Sequence, residues 1–210
     1  MAATRRRRAV NARTRLIDAG TELVRRNGYV ATTVDEVCTH AGVTKGAFFH
    51  HFPSKEALTE ACLREWDQRI AAMDEAAPFH ADADPVARLL ASMDFYIRMF
   101  RDPRLLKSCL AGTTVQEVAE THPNLRNAAN ACFESAERRF KALLDEAVRH
   151  GRRSSRRKRL DTASLARLWV AALQGSIILS KASRDDSVIP GNLEHVKRYV
   201  TTLLGPRSSR

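Results

Sequence analysis

The chain has 210 residues, with 35 Lys and Arg against 24 Asp and Glu and a formal net charge of +11. That length suffices for one large or two small domains with a substantial core, and the charge favours an anionic partner, nucleic acid or a membrane surface. Much of the excess lies in two runs, Arg5-Arg6-Arg7-Arg8 and Arg152-Arg153-Ser154-Ser155-Arg156-Arg157-Lys158-Arg159. No apolar segment is expected to reach the ~18 residues of a membrane span. The basic N-terminus has no apolar run behind it, so a secretory signal is not expected. Cys38, Cys62, Cys109 and Cys132 show neither a CxxC pair nor zinc spacing, so the expectation is reduced thiols in a cytoplasm.

In chain order, residues 1–9 read as a disordered basic arm able to contact phosphates or a minor groove. A first helix is predicted over 10–27, with Leu16, Ala19, Leu23 and Val24 inward and Gly28 ending it. Thr33 and Glu36 have capping-box spacing. Val34, Val37, Cys38 and Ala41 then recur at i, i+3, i+4 and i+7. Gly42 follows, where a left-handed turn is easiest for glycine. Thr44 caps a third helix running from Lys45 to about His51, and Pro53 stops it. Short helix, glycine turn and second helix match a helix-turn-helix, whose second helix enters the major groove. The domain is expected over 10–53.

Ser54 opens a long fourth helix, 54–76, whose stripe of Leu58, Cys62, Trp66, Ile70 and Met73 crosses the expected boundary. It is the expected mechanical link to a second helical domain, 54–204, ahead of a tail, 205–210. Residues 78–84 read as a connector and 85–101 as a central helix, apolar around most of its circumference. Further helices are predicted over 104–120, 124–150, 162–183 and 191–204. The eighth and ninth carry more apolar surface than one core uses, which points to burial against a second subunit through Trp169, Ala172, Ser176, Leu179, Val196, Tyr199, Val200 and Leu203.

The stretch from about Thr14 to Leu58 resembles the DNA-binding domain of the TetR family of bacterial transcriptional regulators. The resemblance rests on Ala19 and Leu23, Gly28-Tyr29, Thr33-Val34, Ala41-Gly42-Val43-Thr44-Lys45-Gly46, His51-Phe52 and Lys55-Glu56-Ala57-Leu58. It covers about a fifth of the chain. It implies an all-α fold: a three-helix helix-turn-helix domain joined by a long fourth helix to a helical effector-binding and dimerisation domain. The last two helices would form a four-helix bundle with their symmetry mates. It also implies that Thr33, Thr44, Lys45, Ala47, Phe49, His50, His51 and Lys55 occupy DNA-contact positions. Lys45 can donate to guanine or phosphate, whereas Ala47 can only touch a thymine methyl. His51 and Lys55 suit phosphate contacts. The family usually has tyrosine where this chain has Phe49, and phenylalanine lacks the hydroxyl that would bond a phosphate.

If the family pattern holds, an effector would lie among helices four to seven, with Trp66, Met93, Tyr96, Phe100, Cys109, Thr113, Gln116 and Phe133 as mainly apolar contacts. The implied function is a ligand-responsive regulator, a repressor, that binds a palindromic operator as a homodimer and is released by a small molecule. An alternative within the same fold uses Cys109, close in sequence to Lys107, as a redox- or electrophile-sensing thiol. His40, His50 and His51 have no spacing that gathers a metal site. The chain lacks a Gly-rich phosphate loop, a G-x-S-x-G elbow and a zincin motif, so neither an enzyme nor a bound cofactor is expected. A basic module that coats DNA non-specifically or binds anionic membrane is the remaining competitor.

Overall fold

A computed structural model describes residues 11–102, 107–150 and 160–205. The expected N-terminal arm, the basic run 152–159 and the tail beyond Gly205 lie outside the described residues. Among the described residues the chain is all helix and turn, as the sequence predicts.

Helix α1 spans Ala12–Asn27, and its Asn11 cap accepts from the Thr14 amide at 2.9 Å. Helix α2, Val34–Ala41, opens on a complete capping box: the Glu36 amide donates to the Thr33 hydroxyl, and the Thr33 amide donates to the Glu36 carboxylate at 2.8 Å. Gly42 ends it at φ +63°, a left-handed conformation open to glycine without steric cost. Thr44 caps α3, Lys45–His51, and the extended Phe52 closes it. Helix α4 runs over Lys55–Glu75, its first turn held by Ser54, which accepts from the Ala57 amide at 3.0 Å. A 3-10 turn, Pro78–Ala81, lies within the expected connector. Helix α5, Pro85–Arg101, places proline at its first position, where a missing N–H leaves no intrahelical bond unmade. Helices α6, α7, α8 and α9 follow at Leu110–Val118, Pro123–His150, Thr162–Ser183 and Val188–Leu204.

Three expectations need correction. The sixth helix was predicted from Arg104, yet residues 107–109 are not helical and α6 starts at Leu110. The Lys107 ammonium is held by Asp186 at 2.6 Å and Ser108 is buried, so both side chains fix the backbone outside the helix. The ninth helix begins three residues earlier than predicted, at Val188, because Pro190 still falls in the first turn, where proline is tolerated. Finally, α8 is long and apolar enough to cross a membrane by length and composition. Its two apolar faces produce that signal, and one of them is buried in the protein's own core.

The chain divides into two compact units, Met1–Trp66 with Leu110–Ala129, and Asp67–Cys109 with Asn130–Arg210. In the first, Leu16, Ile17, Val24, Val37, Phe48, Leu58, Leu63, Leu110 and Leu125 are buried. In the second, Leu89, Met93 and Ile97 of α5 join Phe140 and Leu144 of α7, Trp169 and Ile177 of α8, and Leu193, Val200 and Leu204 of α9. Phe140 and Trp169 stack at 5.1 Å, and the ion pairs Arg88–Glu146 and Lys197–Asp94 fasten α5 to α7 and α9.

Candidate nucleic-acid interface

The α3 face is shaped by its phenylalanines. Phe48 is fully buried, with Phe52 beside it at 6.1 Å between ring centroids. One residue on, the helical 100° step turns Phe49 outward, where it is 53% exposed and meets Phe48 edge-on at 5.1 Å. Thr44, Lys45 and His50 are also exposed, and Ala47 and His51 are half-buried. Residues expected to face DNA and residues expected to fill the core thus alternate along one short helix.

The turn into α3 is braced from α1. Arg15 donates to the Gly42 carbonyl at 3.3 Å, and Arg13 lies over the Phe52 ring at 5.3 Å. Neither arginine stood out in the sequence, because nothing local marks its partner. The Lys45 ammonium reaches Asp35 of α2 at 2.8 Å. That hydrogen bond, with the adjacent negative charge, raises the Lys45 pKa. Both side chains are exposed, so the pair holds Lys45 only loosely.

Thr33 is exposed at the start of α2, and its amide and hydroxyl both engage Glu36. Those contacts lower the Glu36 carboxyl below the ordinary carboxylate range. Lys55 behaves differently from its neighbours. Its ammonium donates to the Tyr29 and Thr32 carbonyls at 2.8 and 2.9 Å and sits over the Tyr29 ring at 4.2 Å. Burial lowers its pKa, against the attraction of Glu117 and Glu36. Burial also raises the Tyr29 hydroxyl, with help from Glu56, and the Cys38 thiol, with help from Asp35.

The residues expected around an effector are divided between the two units. In the second unit Met93 is fully buried, while Tyr96, Phe100, Cys109 and Phe133 pack partly buried against the core. The Tyr96 hydroxyl donates to Asp74 at 2.8 Å, and its burial, with Asp74 beside it, raises its pKa strongly. Arg139 bonds Ser135 at 2.6 Å and Asp67 at 3.3 Å. Burial, with Asp67 and Cys109 adding to it, pushes the Cys132 thiol up to about 12. In the first unit Trp66 lies under the Arg25 guanidinium at 4.4 Å, Thr113 is half-buried, and Gln116 donates to the Gly112 carbonyl at 2.7 Å. No disulfide joins any of the four cysteines, and no metal-binding cluster of His, Cys, Asp or Glu occurs among the described residues.

Of the residues expected at a subunit interface, Trp169, Ser176 and Val200 are buried inside the protein. Ser176 is tied there by donating to the Ala172 carbonyl and accepting from Asn192. Ala172, Val196 and Leu203 are half-buried, and Leu179 and Tyr199 are exposed. Leu168 and Ile178 are exposed on α8 as well. They were missed because the apolar pattern of α8 does not say which of its faces is inward.

Residues 16–62 match the family described as "Bacterial regulatory proteins, tetR family", and residues 85–196 match "Tetracyclin repressor-like, C-terminal domain". The chain is 29% identical over 170 residues to the transcriptional regulator AcuR of Cereibacter sphaeroides, covering 79% of this chain and 74% of that protein. It is 27% identical over 173 residues to the transcriptional repressor DhaR of a Mycobacterium species, covering 82% and 84% of the two chains. Among solved structures it resembles a regulatory protein TetR from Rhodobacter sphaeroides, with TM-score 0.74, 27% identity, and 90% and 96% of the chains covered. It also resembles the reduced form of NemR from Escherichia coli, with TM-score 0.69, 25% identity, and 90% and 96% covered. Two family matches that take in both halves of the chain, over an exposed α3 built on a buried Phe48, make this chain a member of the TetR family of bacterial transcriptional regulators.

Proposed function

We propose that the protein is a cytoplasmic, ligand-responsive repressor that binds a palindromic operator as a homodimer and is released by a small-molecule effector. The observation that supports this most is α3 itself, with Lys45, Phe49 and His50 exposed on a helix anchored by the fully buried Phe48. A two-fold pair of such helices reads half-sites about 34 Å apart, or a multiple of it. Thr33, Thr44, Lys45, Ala47, Phe49, His50 and His51 are the proposed DNA contacts. Lys55, with its donors turned onto protein carbonyls, holds the turn before α2 in place. Effector contacts are assigned within the second unit to Tyr96, Phe100, Cys109 and Phe133. The effector prefers a conformer whose recognition helices no longer match the operator, so effector and DNA oppose each other reciprocally.

Selection of bound sequences from random duplex DNA, followed by a screen for compounds that release the protein, tests this reading. A palindromic consensus is expected, and enrichment of no sequence over bulk DNA would leave a non-specific DNA coat instead. On the selected site, Lys45→Ala and His51→Ala each weaken binding, and each lost phosphate contact lowers the salt slope by about one.

A second reading, thiol sensing by Cys109, is favoured by the partial exposure of that residue. The Lys107 ammonium, close to it in sequence, is held by Asp186 at 2.6 Å. Alkylation of the native protein at Cys109 no faster than at the buried Cys38 and Cys62 excludes sensing.

A further inference from the structure

Several polar groups of the turn between α1 and α2 are answered by charged side chains. Lys55 takes the carbonyls of Tyr29 and Thr32, and Glu36 takes the Thr33 amide. Thr32 donates its hydroxyl to the Gly28 carbonyl at 2.7 Å. Another donor of the turn, the Val30 amide, goes to Glu117 of α6 at 2.8 Å, 87 residues away in sequence. The Glu117 carboxylate lies so close to Gly28 that a Cβ there would stand 1.9 Å from its oxygen, at a φ of +94°. Just beyond α6, His122 meets the Tyr29 ring edge-on at 5.2 Å. Glu117 is thus the one charged member of this set that does not come from the helix-turn-helix or the start of α4.

The same stretch of chain has an anchor at its other end. Lys107, 9% exposed, is held by Asp186 in the connection between α8 and α9. Residues 107 to 118 therefore carry one charged tie in each unit.

We propose that Glu117 is a positioning residue for DNA binding: by holding the Val30 amide it fixes the 28–33 turn, and with it the exposed Thr33 cap at the start of α2. The proposal rests on the DNA-binding reading above. Glutamate suits the role because a charged acceptor on a backbone amide is stronger than a neutral one.

The test uses the full chain with its selected operator and a scrambled duplex at fixed salt. Glu117→Ala is expected to bind the operator about 10-fold more weakly, as for loss of one charge-assisted hydrogen bond. Glu117→Gln, whose amide oxygen still accepts from Val30, stays within about 3-fold of the parent. The Val30 amide exchanges faster with solvent in the alanine variant and not in the glutamine variant. Combining Glu117→Ala with Thr33→Ala gives a loss well short of the product of the two single losses, because both act through one turn. A folded Glu117→Ala protein with parental affinity and a fast-exchanging Val30 amide overturns the proposal. So do fully multiplicative losses in the double variant. If Glu117→Ala does not fold, Glu117→Asp, one methylene short of the amide, replaces it with the same expectations. A parent that selects no duplex at all removes the underlying DNA-binding reading, a result distinct from either of these.

Discussion

Phe49, as a proposed DNA contact, would change what the recognition helix can offer DNA. Its ring is exposed beside Phe48 and carries no hydroxyl, so the DNA contact proposed for it would be apolar. In the major groove the matching feature is the thymine methyl. Replacing thymine by deoxyuridine, one position at a time in the selected operator, should weaken binding at one position per half-site by about 1 kcal/mol, the value of one buried methyl. Phe49→Ala should remove that sensitivity, and equal uridine effects in parent and variant would show the ring does not read the base. Lys55 makes the opposite case. Its three carbonyl contacts, the third to Val30 at 3.5 Å, make it a structural cation. Lys55→Met should therefore cost about 2 kcal/mol of stability in thermal or urea unfolding, because it leaves partly buried carbonyls unanswered. A folded variant with parental stability and a salt slope lower by one would mark a phosphate contact instead.

At the scale of the element, the ends of the helices depend on side chains of different range. Asp161 caps α8 locally, accepting from the Ser164 amide at 3.0 Å, but the Thr162 hydroxyl reaches back to Asp145 of α7 at 2.6 Å. Burial would raise the Asp145 carboxyl, yet the hydrogen bonds of Lys141 and Thr162 prevail and lower it from its ordinary 3.8. A depressed folded value contributes stability that is fully present above pH 3.8 and disappears as the pH falls through the lower folded value. Thr162→Val should thus cost about 1 kcal/mol near neutral pH, and the gap to the parent should close in acid. A gap that stays constant down to pH 2 would place the loss in packing.

The same contrast explains how much was legible beforehand. The caps at Thr33, Thr44 and Ser54 were readable because cap and partner amide lie three residues apart. So was the outward turn of Phe49 against the inward Phe48, since helical spacing alone sets it. The start of α6 was not readable, because it is fixed by Lys107 on Asp186, far along the chain. Nor was the commitment of Lys55 to carbonyls, since its position in a familiar motif says nothing of where its ammonium goes. The face of α8 turned outward also escaped the pattern, because leucine and isoleucine occupy both faces.

For the whole molecule, the proposed dimer would need that outward face to hold its two recognition helices together. Leu168, Ile178 and Leu179 stand exposed on α8 and Tyr199 on α9. Gly175, between them in sequence, has open space where a side chain would be. Leu168 and Leu179 are three helical turns apart, about 16 Å along the axis, and so lie on the same side of α8, and exposed apolar side chains grouped on one side of a helix are a feature of protein interfaces. A second copy of the chain buries them in the proposed dimer. Ile178→Asp with Leu179→Asp should halve the mass found by sedimentation while leaving the thermal transition of the first unit in place. Operator affinity should fall by about 100-fold or more, because the second half-site no longer binds as an intramolecular event. Trp169→Ala makes a sharp control: its ring is stacked on Phe140 inside the protein, so truncation should unfold the second unit at a cost of about 3–5 kcal/mol rather than cleanly separate subunits. A parent that sediments at 23.5 kDa, or a doubly charged variant that remains paired, would move the subunit contact away from this face and leave the half-site spacing without its fixed separation.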